Sequence, residues 1–202
     1  MKLGLLLAAL ILPGIGWAQV IDLSNLPADF TFSSSAPEGD TTVTYIGQEG
    51  DLFKFQFDSP DSREKGAPGF VWTNSASQTV IYEDIDGRTT FDPHDCAPGT
   101  GSCEFTATLP DGETYHLLRS AFMLGQIEIG REYLIDDIGN ETLYSQSCVT
   151  FDQFGFWIDA VRFDFEGIKS WDKRIDSNID PISRPPYEKI DRVCKFSSEQ
   201  TS

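Results

Sequence analysis

The chain has 202 residues, with 32 Asp and Glu against 15 Lys and Arg and a formal net charge of −17 at pH 7. A surface this acidic repels nucleic-acid phosphates and anionic lipid heads, so neither is expected as a partner. Cationic peptides, cationic proteins and divalent metals stay compatible with it.

The first element is not part of the fold. Lys2 is followed by an apolar run from Leu3 to Leu12, a Pro13-Gly14 break and the small-residue site Gly16-Trp17-Ala18. This is the pattern of a secretory signal peptide over residues 1–18, too short to span a bilayer as a lasting anchor. Cleavage before Gln19 leaves about 184 residues, enough for one domain with a real core. Without Lys2 there are 14 basic side chains against 32 acidic ones, a charge of −18. No cysteine follows the cleavage site, and no later stretch is apolar for long enough to cross a membrane. The expectation is a mature protein without a membrane anchor, periplasmic or secreted.

Period-two alternation runs through the rest. "TTVTYIG" (41–47) and "DLFKFQF" (51–57) flank a turn at 47–50, with Phe53, Phe55 and Phe57 on one face and Lys54 and Gln56 on the other. That is a half-buried strand. "GFVWTN" and "QTVIYED" pair in the same way across Ser75-Ala76-Ser77, and "CEFTATL" pairs with "ETYHLLR" across Pro110-Asp111-Gly112. Further strands are expected near 126–137, 142–151 and 156–166. Only Ser120 to Leu124 and a turn within 61–67 offer helical candidates. Many short strands joined by Gly, Pro and Asp turns predict an all-β, antiparallel sandwich or barrel over 19–167. Residues 168–202 turn polar, with Arg184-Pro185-Pro186-Tyr187 held extended by its prolines. They are expected to form an extended segment docked on the domain through Val193, Cys194 and Phe196.

Export favours two disulfides over four thiols. Cys96 and Cys103 bracket a flexible Pro/Gly loop, so the expected pairs are Cys96–Cys103 and Cys148–Cys194. The competing reading is a copper or zinc site using His94, His116 and the two nearby cysteines. Their spacing does not match a zinc knuckle, and oxidation removes the sulfurs. With a three-residue loop at 110–112, Leu109 faces Glu113, Ala107 faces Tyr115 and Phe105 faces Leu117. His116 then lies opposite Thr106, on the other side of the sheet from Cys103.

Other candidates carry weaker signals. Asp84, Asp86, Asp92 and Asp95 surround a glycine without the order of an EF-hand, so a solvated turn is expected. Asp159 shares the face of Trp157, Val161 and Phe163, with Arg162 opposite; apolar neighbours there shift a carboxyl pKa, and the expectation is a structural Asp held by hydrogen bonds. Asn140-Glu141-Thr142 matches the N-glycosylation pattern. There is no nucleophile elbow, zincin motif or phosphate-cradling loop, and no catalytic, cofactor or metal residue is assigned. The aromatic faces Val43/Tyr45 and Trp157/Val161/Phe163/Phe165 suggest a barrel cavity for a small apolar ligand. The functional expectation is a non-catalytic binding or structural role in the periplasm or cell envelope. The alternatives are an envelope hydrolase using distributed carboxylates and, behind it, a copper or zinc protein.

Overall fold

The structure is a computed structural model that describes residues 23–92, 101–152, 156–178 and 187–195. A short 3-10 turn, Leu23–Asn25, precedes twelve strands. They are β1 (Thr31–Ala36), β2 (Gly39–Glu49), β3 (Leu52–Asp58), β4 (Gly69–Thr73), β5 (Thr79–Asp84), β6 (Gly87–Asp92), β7 (Ser102–Thr108), β8 (Thr114–Leu124), β9 (Ile127–Ile135), β10 (Glu141–Phe151), β11 (Trp157–Phe163) and β12 (Lys169–Ser177). The described residues also form two helices, α1 (Pro60–Lys65) and α2 (Tyr187–Val193). Each strand pairs antiparallel with its neighbour in sequence, and β12 pairs with β1, which closes the sheet into an up-and-down barrel.

The expected hairpins form. Across the three-residue loop Phe105 faces Leu117, Thr106 faces His116 and Ala107 faces Tyr115. The segment Ser120 to Leu124 is not helical: it is the end of β8, paired with β9 from Ser120↔Arg131 to Leu124↔Ile127. The turn at 61–67 does hold a helix. Ser59 caps α1 in a reciprocal capping box with Ser62, and Gly66 closes it in the left-handed conformation at φ 75°.

Strands β1 and β6 and the whole of β12 lie where a tail or loops were expected. Lys169–Ser177, inside the stretch read as an extended polar segment, is the strand that closes the barrel. It pairs with β11 from Asp159↔Lys173 to Phe163↔Lys169, and with β1 from Phe32↔Ser177 to Ser35↔Lys173.

Even spacing of about 4.8 Å and a tilt of about 40° would give twelve strands a diameter near 24 Å, too wide for facing side chains to fill unaided. Part of the gap is closed by rings from outside the strands. Phe30, just before β1, and Phe156, just before β11, lie 5.0 Å apart and are fully buried. Phe55 meets Phe156 at 5.0 Å and Trp157 meets Phe32 edge-on at 5.0 Å. Leu23 and Leu26 join this cluster with Val43, Val71, Val149 and Ala160, so the incoming chain stoppers that end of the barrel. A second inner cluster holds Phe91, Ala107, Leu117 and Tyr144.

The outer wall carries charged and polar side chains such as Lys54, Gln56, Glu83, Arg88 and Thr90, as befits a wall that meets water. Lys54 lies over the rings of Phe70 and Trp72 at 5.0 and 4.6 Å, and the Trp72 indole donates to Glu49 at 2.9 Å.

One outer patch is covered. Ile127, Ile129, Cys148, Val161 and Phe163 form a buried cluster with Ile190 and Cys194 of the α2 segment. The Cys148–Cys194 disulfide, with Cα atoms 5.8 Å apart, pins that segment to the wall. Gln146 donates its side-chain amide to the Lys195 carbonyl at 2.7 Å, one strand residue pair away.

This cover corrects the cavity reading of Val161 and Phe163, which face outward beneath α2. Trp157 parts company with them. The pairing jumps from Thr150↔Asp159 to Phe151↔Trp157, and this bulge turns the indole into the inner aromatic cluster. Val43 does face inward, with Tyr45 packed beside it.

Candidate functional site

The inward faces of β8 to β12 are set by parity. On β8, Leu117 is fully buried in the inner cluster, so Arg119 two residues on also faces the lumen. Its register partner is Glu132, followed along β9 by Gly130 and Glu128 on the same face. Ser145 and Ser147 continue the inward face on β10, Arg162 on β11 and Asp172 on β12. Each of these strands therefore lines the lumen with polar side chains at a similar height.

The groups are joined into pairs. Arg119 Nη2 lies 2.6 Å from Glu128 Oε1. Ser145 donates to Glu132 Oε2 at 2.9 Å, and Arg162 is ion-paired with Asp172. Arg119 reaches Glu128 across Gly130, where the missing side chain leaves space. A Cβ at that position would sit 3.0 Å from Ser147 Oγ, 3.6 Å from Arg119 Nη2 and 3.9 Å from Glu128 Oε1. Nearer the stoppered end, Arg174 pairs with Asp152 at 2.9 Å, donates to the Trp157 carbonyl at 2.6 Å and stacks over Phe32 at 4.3 Å.

The pairs differ in their access to water. Arg174 and Asp152 are sealed, at 2% and 0% exposure, and serve as a core strut. Arg119, Arg162 and Asp172 retain 17%, 14% and 15%, so solvent reaches the lumen beside them. Glu128 is 1% exposed, and its Oε2 has no hydrogen-bond partner among the described residues. Burial pushes its pKa up, and the Arg119 guanidinium only partly opposes that shift. The Tyr144 hydroxyl, in the same lumen, is pushed up to about 12 by burial and by the charges of Glu132 and Asp164. Two aliphatic side chains, Val149 and Ala160, sit between Glu128 and Asp172 on one rung, so the charged band borders the aromatic cluster directly.

The residues singled out from sequence fall elsewhere. His116 lies on the outer face, opposite Thr106, in an open groove of about 270 Å³ that also touches Asp92 and Glu104. Cys103 is on the other face and is disulfide-bonded. His94, Asp95 and Cys96 lie outside the described residues. Asp159 is buried at 2%, its backbone N–H donating to Thr150 Oγ at 3.2 Å. Asp84 caps its turn by accepting the Asp86 N–H at 2.8 Å. Asn140 is exposed and donates its side-chain amide to Asp136. Among the described residues no three His, Cys, Asp or Glu side chains are grouped to hold a metal ion. The lumen band went unread, because Arg119, Glu128, Glu132, Arg162 and Asp172 look like solvated positions of alternating strands. The one available signal was Gly130 in the middle of an otherwise regular strand.

No protein family matches the chain, and no curated protein does. Among solved structures, a protein from Parabacteroides distasonis described as a "putative lipoprotein" aligns with a TM-score of 0.37 and 4% identity. The alignment covers 81% of this chain and 99% of that one.

Proposed function

We propose that the protein is a non-catalytic binding component of the periplasm or cell envelope that holds a small amphiphilic molecule in the barrel lumen. The supporting observation is the water-reached pair of arginines, Arg119 and Arg162, with their carboxylate partners on a lumen wall. Ion pairs taken out of water rarely repay their desolvation, and apolar side chains would fill the space at least as stably. Their retention where water still reaches them suits recognition better than packing. The ligand expected from the aromatic content thus gains a polar end. Its head group meets Arg119 and Arg162, and its apolar body lies along Val149 and Ala160 toward the rings. The exported location rests on the signal-like residues 1–18.

Native mass spectrometry of protein purified from its own host tests the reading. The expected result is an adduct of a few hundred daltons that is released on unfolding. It should be absent from an Arg119→Met/Arg162→Met variant that melts cooperatively. A ligand-free wild-type protein that turns over envelope glycans would overturn it in favour of a hydrolase drawing on Glu128 and Asp172. Amino-terminal sequencing of the exported protein checks the location, with Gln19 as the expected first residue.

A further inference from the structure

At the end where the chain comes in, the exposed apolar side chains Phe122 and Leu124 belong to strand β8 and adjoin a turn, residues 125–126, without charge. At the far end three turns follow one plan. Each starts with an aspartate that accepts a backbone N–H two residues on. Asp84 accepts from Asp86 at 2.8 Å, Asp136 from Ile138 at 3.0 Å and Asp164 from Glu166 at 2.9 Å. Each is closed by a positive-φ glycine, Gly87, Gly139 or Gly167.

The leading aspartates account for the turn geometry. Of the two side chains between each aspartate and its glycine, neither is needed for it, and yet one is large and apolar. Ile85, Ile138 and Phe165 are 55%, 84% and 55% exposed, and Ile168 just beyond is 60% exposed. Turn tips of this kind are ordinarily polar, so four exposed apolar side chains at one end call for an explanation. The Phe165 ring also stacks on Tyr144 of the inner cluster at 6.4 Å, which makes the rim continuous with apolar surface inside the barrel. An acid sits beside every tip: Asp86, Asp137 and Glu166 adjoin Ile85, Ile138 and Phe165. Asp86 is already ion-paired with Lys65 at 2.6 Å, so the charge offered to a partner comes from Asp137 and Glu166; the nearby bases Arg88 and Lys169 are themselves ion-paired, with Glu83 and Asp191.

We propose that this rim is a docking surface for a cationic, amphipathic protein segment, whose apolar side chains meet Ile85, Ile138, Phe165 and Ile168 while its Lys or Arg side chains meet the flanking acids. Charge selects the partner. Anionic lipid is repelled, a second copy of this chain would set acid against acid, and a basic segment is drawn in. The surface is separate from the lumen band on β8 to β12, so it stands or falls independently of the ligand.

The test uses the full mature protein and a short synthetic peptide alternating lysine with leucine. Controls are a lysine–serine peptide and a glutamate–leucine peptide, all followed by titration calorimetry. The lysine–leucine peptide should bind, the lysine–serine peptide at least about tenfold more weakly, and the glutamate–leucine peptide not at all. Ile85→Ser/Ile138→Ser/Phe165→Ser/Ile168→Ser should lose about tenfold or more, whereas Phe122→Ser/Leu124→Ser, at the opposite end, should bind as wild type. Asp137→Asn/Glu166→Gln leaves the turn-forming aspartates in place; it should weaken binding and flatten its salt dependence even if the serine variant folds poorly. Three results would overturn the proposal. These are equal binding by the rim variants and wild type, rim-dependent binding to phosphatidylglycerol or phosphatidylcholine vesicles, and rim-dependent self-association in sedimentation.

Discussion

Replacing Cys148 and Cys194 together with alanine frees a loop whose ends are 46 residues apart in sequence. On the chain-entropy account, closing a loop of that length removes about 13 cal/mol/K from the unfolded ensemble, or about 4 kcal/mol at 25 °C. Both cysteines are also buried, at 0% and 1% exposure among Ile127, Ile129, Val161 and Phe163. Losing two sulfurs there leaves small voids costing about 1 kcal/mol more. The sum, about 5 kcal/mol, is comparable to the whole stability of many domains. With a urea m-value of about 2 kcal/mol/M, the midpoint should fall by about 2.5 M. Trp72, Trp157 and Trp171 provide the fluorescence signal for the titration. The twelve-strand barrel itself should survive in the absence of denaturant, because the bond pins α2 to the outer wall and ties no two barrel strands together. Far-ultraviolet circular dichroism should stay β-rich, while proteolysis within 187–195 speeds up. A midpoint shift below about 0.5 M would refute the loop-entropy reasoning. Loss of the β signal would refute the view of α2 as an external cover.

Gly130→Ala should cost about 1 kcal/mol in the same titration, because its Cβ would sit tight against Ser147 Oγ at 3.0 Å; adding Ser147→Gly should restore the loss. The pKa of Glu128 is raised on folding, so its contribution to stability is fully present below the ordinary value of 4.5 and is lost as pH rises through the folded value. Glu128→Gln, which resembles the protonated side chain, should therefore be at least as stable as wild type at neutral pH, and its stability should fall less steeply than wild type as the pH rises above 4.5. Non-reducing peptide mapping should find a Cys96–Cys103 peptide, and Cys96→Ala should lose only about 2 kcal/mol, since that loop is short; a Cys96–Cys148 peptide would overturn both the proposed pairing and the bond described above.

Where one face of a strand is apolar and the other polar, the alternation in the sequence declares both the strand and its inner side, as in β3 with Phe53 and Phe55 buried and Lys54 outside. The β7–β8 register followed from turn length alone. Strand β12 was illegible for the opposite reason. Its inward residues are Asp172 and Arg174, matched to charges already inside the barrel, so neither face reads as a core. Strand β1 is hidden by its serines, of which Ser34 is buried at 1%. The lumen band escaped because no local pattern distinguishes a charge facing water from one facing a partner across a barrel. Trp157 was misplaced by a bulge, which shifts parity without leaving a mark in composition.

The seam between β1 and β12 has a consequence for how this chain comes to be folded. Ser34 and Arg174 are partners there, yet all but the two ends of the sheet lie between them in the chain. A strand ladder that adds neighbours in sequence can grow hairpin by hairpin, but its two outermost strands wait until everything else is assembled. During that interval both carry unpaired backbone groups that any other chain could copy. Their sequences are poor templates. β1 reads "TFSSSA" and β12 "KSWDKRIDS", one half serine and the other studded with both signs of charge. Two strands that hold little apolar surface of their own find a stable partner only in each other, so the growing sheet is steered toward closing on itself rather than joining a neighbour.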